Sequence, residues 1–158
     1  MDKITPFLWF DTQAEEAANF YTSIFPNSKV GKKTYYGDAG PGPKGTVVTV
    51  EFELNGQQFV GLNGGPQFPF TEAVSFSIDC GDQQEVDYYW DKLTARGGQP
   101  VQCGWLKDKF GLSWQVNPRI LGQLISDPDP AKANRVMQAM LKMVKIDIAE
   151  LQRAYDGR

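Results

Sequence analysis

Leu8 and Phe10 stand two apart just before Asp11, and Ala17, Phe20, Tyr21 and Ile24 follow it at helical spacing. The first pattern is that of a strand with one buried face, the second that of an amphipathic helix. The same switch recurs 68 residues later, where Asp79 overlies Asp11. Phe76 and Ile78 precede it, and Val86, Tyr89, Trp90 and Leu93 follow as a second stripe. Each half of this repeat opens strand, then helix. Thr12 with Glu15, and Asp82 with Glu85, have the spacing of a capping box. Pro26-Asn27 and Gly97-Gly98-Gln99-Pro100 supply the stops.

After each helix the period returns to two. In the first half, 29–36 reads as a strand, 37–45 as a Gly/Pro loop, and 46–54 as a strand with Val48, Val50, Phe52 and Leu54 on one face. Asn55-Gly56 is a hairpin turn that leads into a returning strand over 58–62. In the second half, 100–103, 105–107 and 112–117 give three shorter strands around the turn Asp108-Lys109-Phe110-Gly111. The order is βαβββ twice, an α+β chain with segments 1–66 and 67–120 as the two modules of one compact domain. Gly64-Gly65-Pro66 reads as the linker, with Phe68 and Phe70 packing the halves together. A helical extension covers 121–158 and contains the breaker Asp127-Pro128-Asp129-Pro130. Its first helix carries the stripe Ala133, Val136, Met137, Met140, Leu141 and Val144. A second starts with Asp147 and Glu150 as capping box and Ile146 with Leu151 as hydrophobic staple. These stripes cover the protein's own sheet, a subunit partner or a partner-protein helix.

The 158 residues carry a net charge of −3 without Lys/Arg clusters, which argues against nucleic acid and anionic membrane as partners. No apolar run approaches the roughly 20 residues of a membrane helix, and Met1-Asp2-Lys3-Ile4-Thr5 has no leader-like apolar stretch, so a cytoplasmic protein is expected. There is no histidine. Ser-His-Asp and Cys-His catalysis and every His-containing zinc site are thereby excluded. Two cysteines, Cys80 and Cys103, are too few for a disulfide framework and read as reduced thiols. The loop Gly37 to Gly45 lacks the strand-to-helix context and Gly-Lys-Ser/Thr ending of a phosphate loop, and reads as a flap or a plain connector.

Three segments carry a likeness to a known family. They are Thr5-Pro6-Phe7-Leu8-Trp9-Phe10-Asp11 with Glu15-Glu16-Ala17 and Phe20-Tyr21; Asn63-Gly64-Gly65-Pro66 through Phe70 into Ser75-Phe76; and Gly104 to Gly111 with Ser113-Trp114-Gln115. In these the chain resembles the vicinal oxygen chelate (glyoxalase/bleomycin resistance/dioxygenase) superfamily, in its PhnB-like branch labelled 3-demethylubiquinone-9 3-methyltransferase-like. The resemblance implies curved mixed sheets around a small-molecule cavity and a homodimer whose modules can be shared between chains. It places the superfamily's metal ligands near Thr5, Ala73, Gln115 and 61–63, where no His, Asp, Glu or Cys stands. A transition-metal site is therefore not expected, nor any cofactor. The methyltransferase label implies S-adenosylmethionine, for which the sequence offers no strand followed by a Gly-rich turn.

If the sheets curve, the parity opposite the helices puts Phe7, Trp9, Ser75, Ser77, Ser113 and Gln115 inside, a lining for a partly apolar ligand oriented by a few hydrogen bonds. A filled core or subunit interface is the competing reading. Lys107 or Lys109 is the visible cation for an anionic ligand. Glu51 and Glu53 share a strand face, either as an acid/base pair able to recruit a cation or as solvated side chains. The leading expectation is metal-independent binding of a small organic molecule, sequestration of a toxic compound being one form of it. The alternatives are a lyase, isomerase or dioxygenase working through Glu51 or Glu53, a methyltransferase, and a partner-binding module.

Overall fold

Strand β1, Phe7–Phe10, buries Leu8 and Phe10 and leads through Asp11 into helix α1, Ala14–Ile24. The structure is a computed structural model that describes residues 2–158, and it divides into one unit up to Phe70 and another from Thr71 to Arg158. In the first unit β2, Lys29–Tyr35, β3, Val47–Leu54, and β4, Gln57–Asn63, complete a four-stranded sheet in the order β1-β4-β3-β2. β1 runs parallel to β4, and the other pairs are antiparallel. Asn55 and Gly56 turn between β3 and β4 at φ 47° and 87°, the left-handed pair that a two-residue hairpin needs. Val50, Phe52 and Leu54 are buried as the alternation predicts, and Phe52 stacks between Tyr21 of α1 and Phe59 of β4 at 6.0 and 5.3 Å. Each such buried ring stabilises the unit by roughly 1.5–3 kcal/mol.

The first helix start differs from the expected capping box. Gln13 is the N-cap without a side-chain cap bond, and the Ala14 amide is instead taken by the Asn63 Oδ1 at the end of β4, 2.8 Å away. Thr12 lies one residue too early to serve the first helical turn, and Glu15 pairs with Lys33 of β2. Phe68 and Phe70 turn back onto β1: their rings meet Trp9 and Phe10 edge-on at 4.9 and 5.3 Å.

The second unit repeats the order with β5, Ser75–Cys80, α2, Gln83–Thr94, β6, Gln99–Pro100, β7, Trp105–Lys107, and β8, Ser113–Pro118, arranged β5-β8-β7-β6. Again the first and last strands are parallel. Val86, Tyr89, Trp90 and Leu93 are the buried face of α2, as their spacing predicts. Here the capping box forms: Asp82 accepts from the Glu85 amide at 2.8 Å, and Glu85 accepts from the Gly81 amide, one residue before the expected partner. β6 is shorter than the predicted 100–103, because Pro100 has no N–H to extend the ladder and Cys103-Gly104 turn through φ 59° and 84°.

Beyond β8 lie α3, Arg119–Ile125, which the apolar pattern did not predict, α4, Pro130–Met140, and α5, Ile148–Asp156. Leu121, Val136, Ile146 and Leu151 are their buried cluster, with Met140, Met143 and Tyr155 packed against it. Asp129 and Asp147 cap α4 and α5, and the Ile146–Leu151 staple is buried in that cluster. Val144 falls outside α4 and is 47% exposed. The segment between α4 and α5 is held on the second unit by the Cys103 and Gly104 amides, which donate to the Met143 and Val144 carbonyls at 2.9 and 2.8 Å. Among the described residues no helix is long and apolar enough to cross a membrane.

Candidate functional site

A cavity of about 620 Å3 opens in the first unit where β1 and β4 end, beside the first turn of α1 and under the β2–β3 loop. Asp11, Thr12 and Glu15 form one wall, Asn63, Gly64, Gly65, Pro66 and Gln67 a second, and Tyr36, Pro41, Gly42, Pro43 and Gly45 to Val47 the third. That volume suits a small organic molecule.

The walls are fixed by a few polar contacts. Tyr36 Oη donates to the Asn63 carbonyl at 2.5 Å, tying the loop to the end of β4. Asn63 uses its whole side chain: Oδ1 accepts from the Ala14 amide and Nδ2 donates to the Val47 carbonyl at 3.1 Å. The loop closes on the Tyr36 ring, and Gly42 lies so near it that a Cβ would come within 2.3 Å of the ring. Trp9 braces the other side. Its Nε1 donates to the Gly65 carbonyl at 2.8 Å, and its ring covers Gly64, where a Cβ would again approach to 2.3 Å. Glycine is required at both positions by contact.

The charged groups on the lining are two carboxylates. Glu15 is paired with Lys33, whose ammonium is held above its ordinary range by that hydrogen bond. Asp11 is exposed, and its carboxylate has no hydrogen bond or ion pair among the described residues.

None of the residues predicted from strand parity lines this cavity. Phe7 and Trp9 share the sheet face turned away from α1 with Glu51 and Glu53, as the rows Phe7–Val60–Glu51 and Gln58–Glu53 show. Phe7 is 57% exposed. Glu53 accepts from Gln58 Nε2 at 3.3 Å and pairs with Lys29 at 3.5 Å. In the second unit, Ser75, Ser77, Ser113 and Gln115 do come together on one sheet face, paired by register. Gln115 Nε2 donates to Ser75 Oγ at 2.9 Å, while Asn117 Nδ2 donates to Ser77 Oγ at 2.9 Å and to Gln115 Oε1 at 3.3 Å. Ser113 Oγ is buried with no partner among the described residues, an arrangement that calls for a water or a ligand group. Lys107 pairs with Glu72 and holds that carboxyl below its ordinary range, and Lys109 Nζ lies 5.2 Å over the Phe110 ring.

Asn63, Tyr36 and Asp11 were missed as site residues. The one signal for them was the pair of Gly/Pro-rich stretches at 37–45 and 64–66, which mark where backbone approaches a ring.

Over residues 2–117 the chain matches the family model described as 3-demethylubiquinone-9 3-methyltransferase. It belongs to that family. The PhnB protein of Bacillus cereus is 39% identical, with a TM-score of 0.67 over 74% of this chain and 99% of its own. Protein PA1353 of Pseudomonas aeruginosa is 20% identical at a TM-score of 0.60, covering 75% and 98%, and the fosfomycin resistance protein FosX of Listeria monocytogenes is 14% identical at 0.50, covering 75% and 93%. These last two share the fold. No curated protein matches the chain. The PhnB-like chain is thus a member of the vicinal oxygen chelate superfamily, with the α+β arrangement of two βαβββ modules and C-terminal helices.

The groups that the family's names imply can be tested against the residues present. Gln115, where the resemblance would put a metal ligand, has its amide oxygen engaged by Asn117, and among the described residues no three His, Cys, Asp or Glu side chains converge as metal ligands. This donor set does not fit a transition metal. For S-adenosylmethionine, the turn after β1 is Asp11-Thr12-Gln13 and that after β5 is Gly81-Asp82. Neither is a Gly-rich cradle, and the first amide of α1 is already taken by Asn63, so the residues do not fit this cofactor either.

Proposed function

We propose that this PhnB-like protein binds a small organic molecule without a transition-metal site, and that the cavity beside α1 in the first unit receives it. The observation that carries the reading is the built wall: a cavity of about 620 Å3 whose loop, strand end and helix start are cross-tied by Tyr36, Asn63 and Trp9. Binding needs shape and a few fixed donors and acceptors, and the Thr12 hydroxyl, the Gln67 amide and the two carboxylates supply them. Outside that cavity, Phe7 and Trp9 on the first sheet and Ser75, Ser77, Ser113 and Gln115 on the second are proposed as separate ligand contacts, a reading that the buried Ser113 hydroxyl, without a partner among the described residues, supports for the second unit. Catalysis through Glu51 or Glu53 has less support, since Glu53 is engaged by Lys29 and Gln58 and, among the described residues, no third ligating side chain converges on the pair. A cytoplasmic homodimer completes the reading. Free Cys80 and Cys103 support the compartment, and light scattering checks for twice the 17.7 kDa chain mass.

The test is a chemically diverse library of small organic molecules, screened on the full chain by 1H–15N correlation spectra. Saturable shifts at the Thr12, Thr46, Gly64 and Gly65 amides are expected for at least one compound. Absence of any saturable shift at these amides across the library overturns the reading.

A further inference from the structure

The geometry points to a ligand that carries a positively charged nitrogen, an amine held beside Asp11 in the cavity of the first unit. This rests on the binding function proposed above and names the class of molecule for it. The lining contains Asp11 and Glu15 and no lysine or arginine. Glu15 is already neutralised by Lys33, and Lys44, next to the lining residues Pro43 and Gly45, is paired with Asp38 at 3.1 Å. One carboxylate therefore remains uncompensated at the cavity, that of Asp11.

The positive end of α1 does not reverse this sign. Its first amide, Ala14 N–H, is taken by Asn63, the Thr12 N–H ahead of the helix is taken by the Gln13 side chain at 3.3 Å, and the Glu15 and Glu16 side chains place negative charge on its first turn. The other walls are Gly, Pro, Val and the Tyr36 ring, whose hydroxyl is spent on the Asn63 carbonyl, with the uncharged side chains of Thr12, Thr46, Asn63 and Gln67 among them. An apolar body with an ammonium or guanidinium head matches such walls. A carboxylate or phosphate would meet Asp11 with no cation on the lining to offset the repulsion.

Three probes of one shape separate the possibilities: 2-phenylethylamine, 2-phenylethanol and phenylacetate, titrated into the full chain at pH 7 while the Thr12, Thr46, Gly64 and Gly65 amides are followed by NMR. The amine is expected to bind about fivefold more tightly than the alcohol, the upper range for a solvent-accessible ion pair, and more tightly still than the acid. Added salt narrows the gap. Asp11→Asn, at an exposed position of the same volume, removes the preference. Lys33→Met releases Glu15 and tightens amine binding, which a merely structural effect would not do. Equal or tighter binding of phenylacetate overturns the inference while leaving the binding function in place. No response to any of the three also overturns it, and only a failed library screen takes the binding function down as well.

Discussion

The Tyr36 hydroxyl donates a 2.5 Å hydrogen bond to the carbonyl of Asn63, joining the end of β2 to the end of β4 across 27 residues of chain. The bond makes the β2–β3 loop part of the cavity wall. Tyr36→Phe keeps the ring that packs on Gly40 and Gly42 and removes only this bond, so a stability loss of about 1 kcal/mol is expected. Hydrogen exchange at the Gly45 amide, which donates to the Tyr36 carbonyl at 2.8 Å, should quicken in the variant. Unchanged exchange there would show that the loop holds itself without the hydroxyl.

Asn63 serves two backbone groups at once. Asn63→Ala frees the Ala14 amide and the Val47 carbonyl, and about 2 kcal/mol should be lost in urea unfolding. Asn63→Asp keeps the acceptor for the helix start and should recover the larger part of that loss. If aspartate is as damaging as alanine, capping is not what Asn63 contributes.

Asp108 is 2% exposed and accepts three hydrogen bonds, from the Phe110 and Leu112 amides at 2.9 and 3.1 Å and from Trp114 Nε1 at 2.9 Å. It closes the turn between β7 and β8 and orients the indole at the same time. Asp108→Asn turns an N–H2 toward some of these donors, and about 3 kcal/mol of stability should go with it. A shift in the tryptophan fluorescence would accompany the loss. Stability within about 0.5 kcal/mol of the parent would contradict the arrangement.

The tail is fastened at Gln83, whose Nε2 donates to the Ile146 carbonyl at 3.0 Å and whose Oε1 accepts from the Ile148 amide at 2.8 Å. Beside it Lys145 pairs with Asp87 at 2.8 Å and, with Gln83, holds that carboxyl below its usual 3.8. A carboxyl lowered on folding contributes stability that is present above pH 3.8 and lost as pH falls through its lower folded value. Stability curves of the protein and of Asp87→Asn should therefore converge below pH 3.8 and separate above it. Parallel curves would place the acid sensitivity elsewhere.

The two cysteines should react unequally. Cys80 is fully buried, and burial, reinforced by Glu85, Asp79 and Asp82, pushes its thiol up to about 12. A thiol raised from 9.0 opposes ionisation, so the folded state loses stability as pH rises through that range. At pH 8 a disulfide reagent should label Cys103 in the native protein and Cys80 only after denaturant is added. Two equally fast thiols would refute the burial of Cys80.

Much of the fold was legible because both modules carry their buried faces as regular stripes: Val50-Phe52-Leu54 at period two and Val86-Tyr89-Trp90-Leu93 at helical period are the buried faces observed. The Asn55-Gly56 turn and the Asp147 cap were equally readable, since each is a contact between near neighbours. Helix α3 was not, because it is short, contains Gly122, and buries only Leu121. The candidate site was least legible. The cap of α1 comes from Asn63, 49 residues away, and Tyr36, just past β2, meets the same residue. Local spacing fixes which residues face inward. Which acceptor serves a helix end, and which carboxylate is left without a partner, depends on strands that register brings together only in the folded chain.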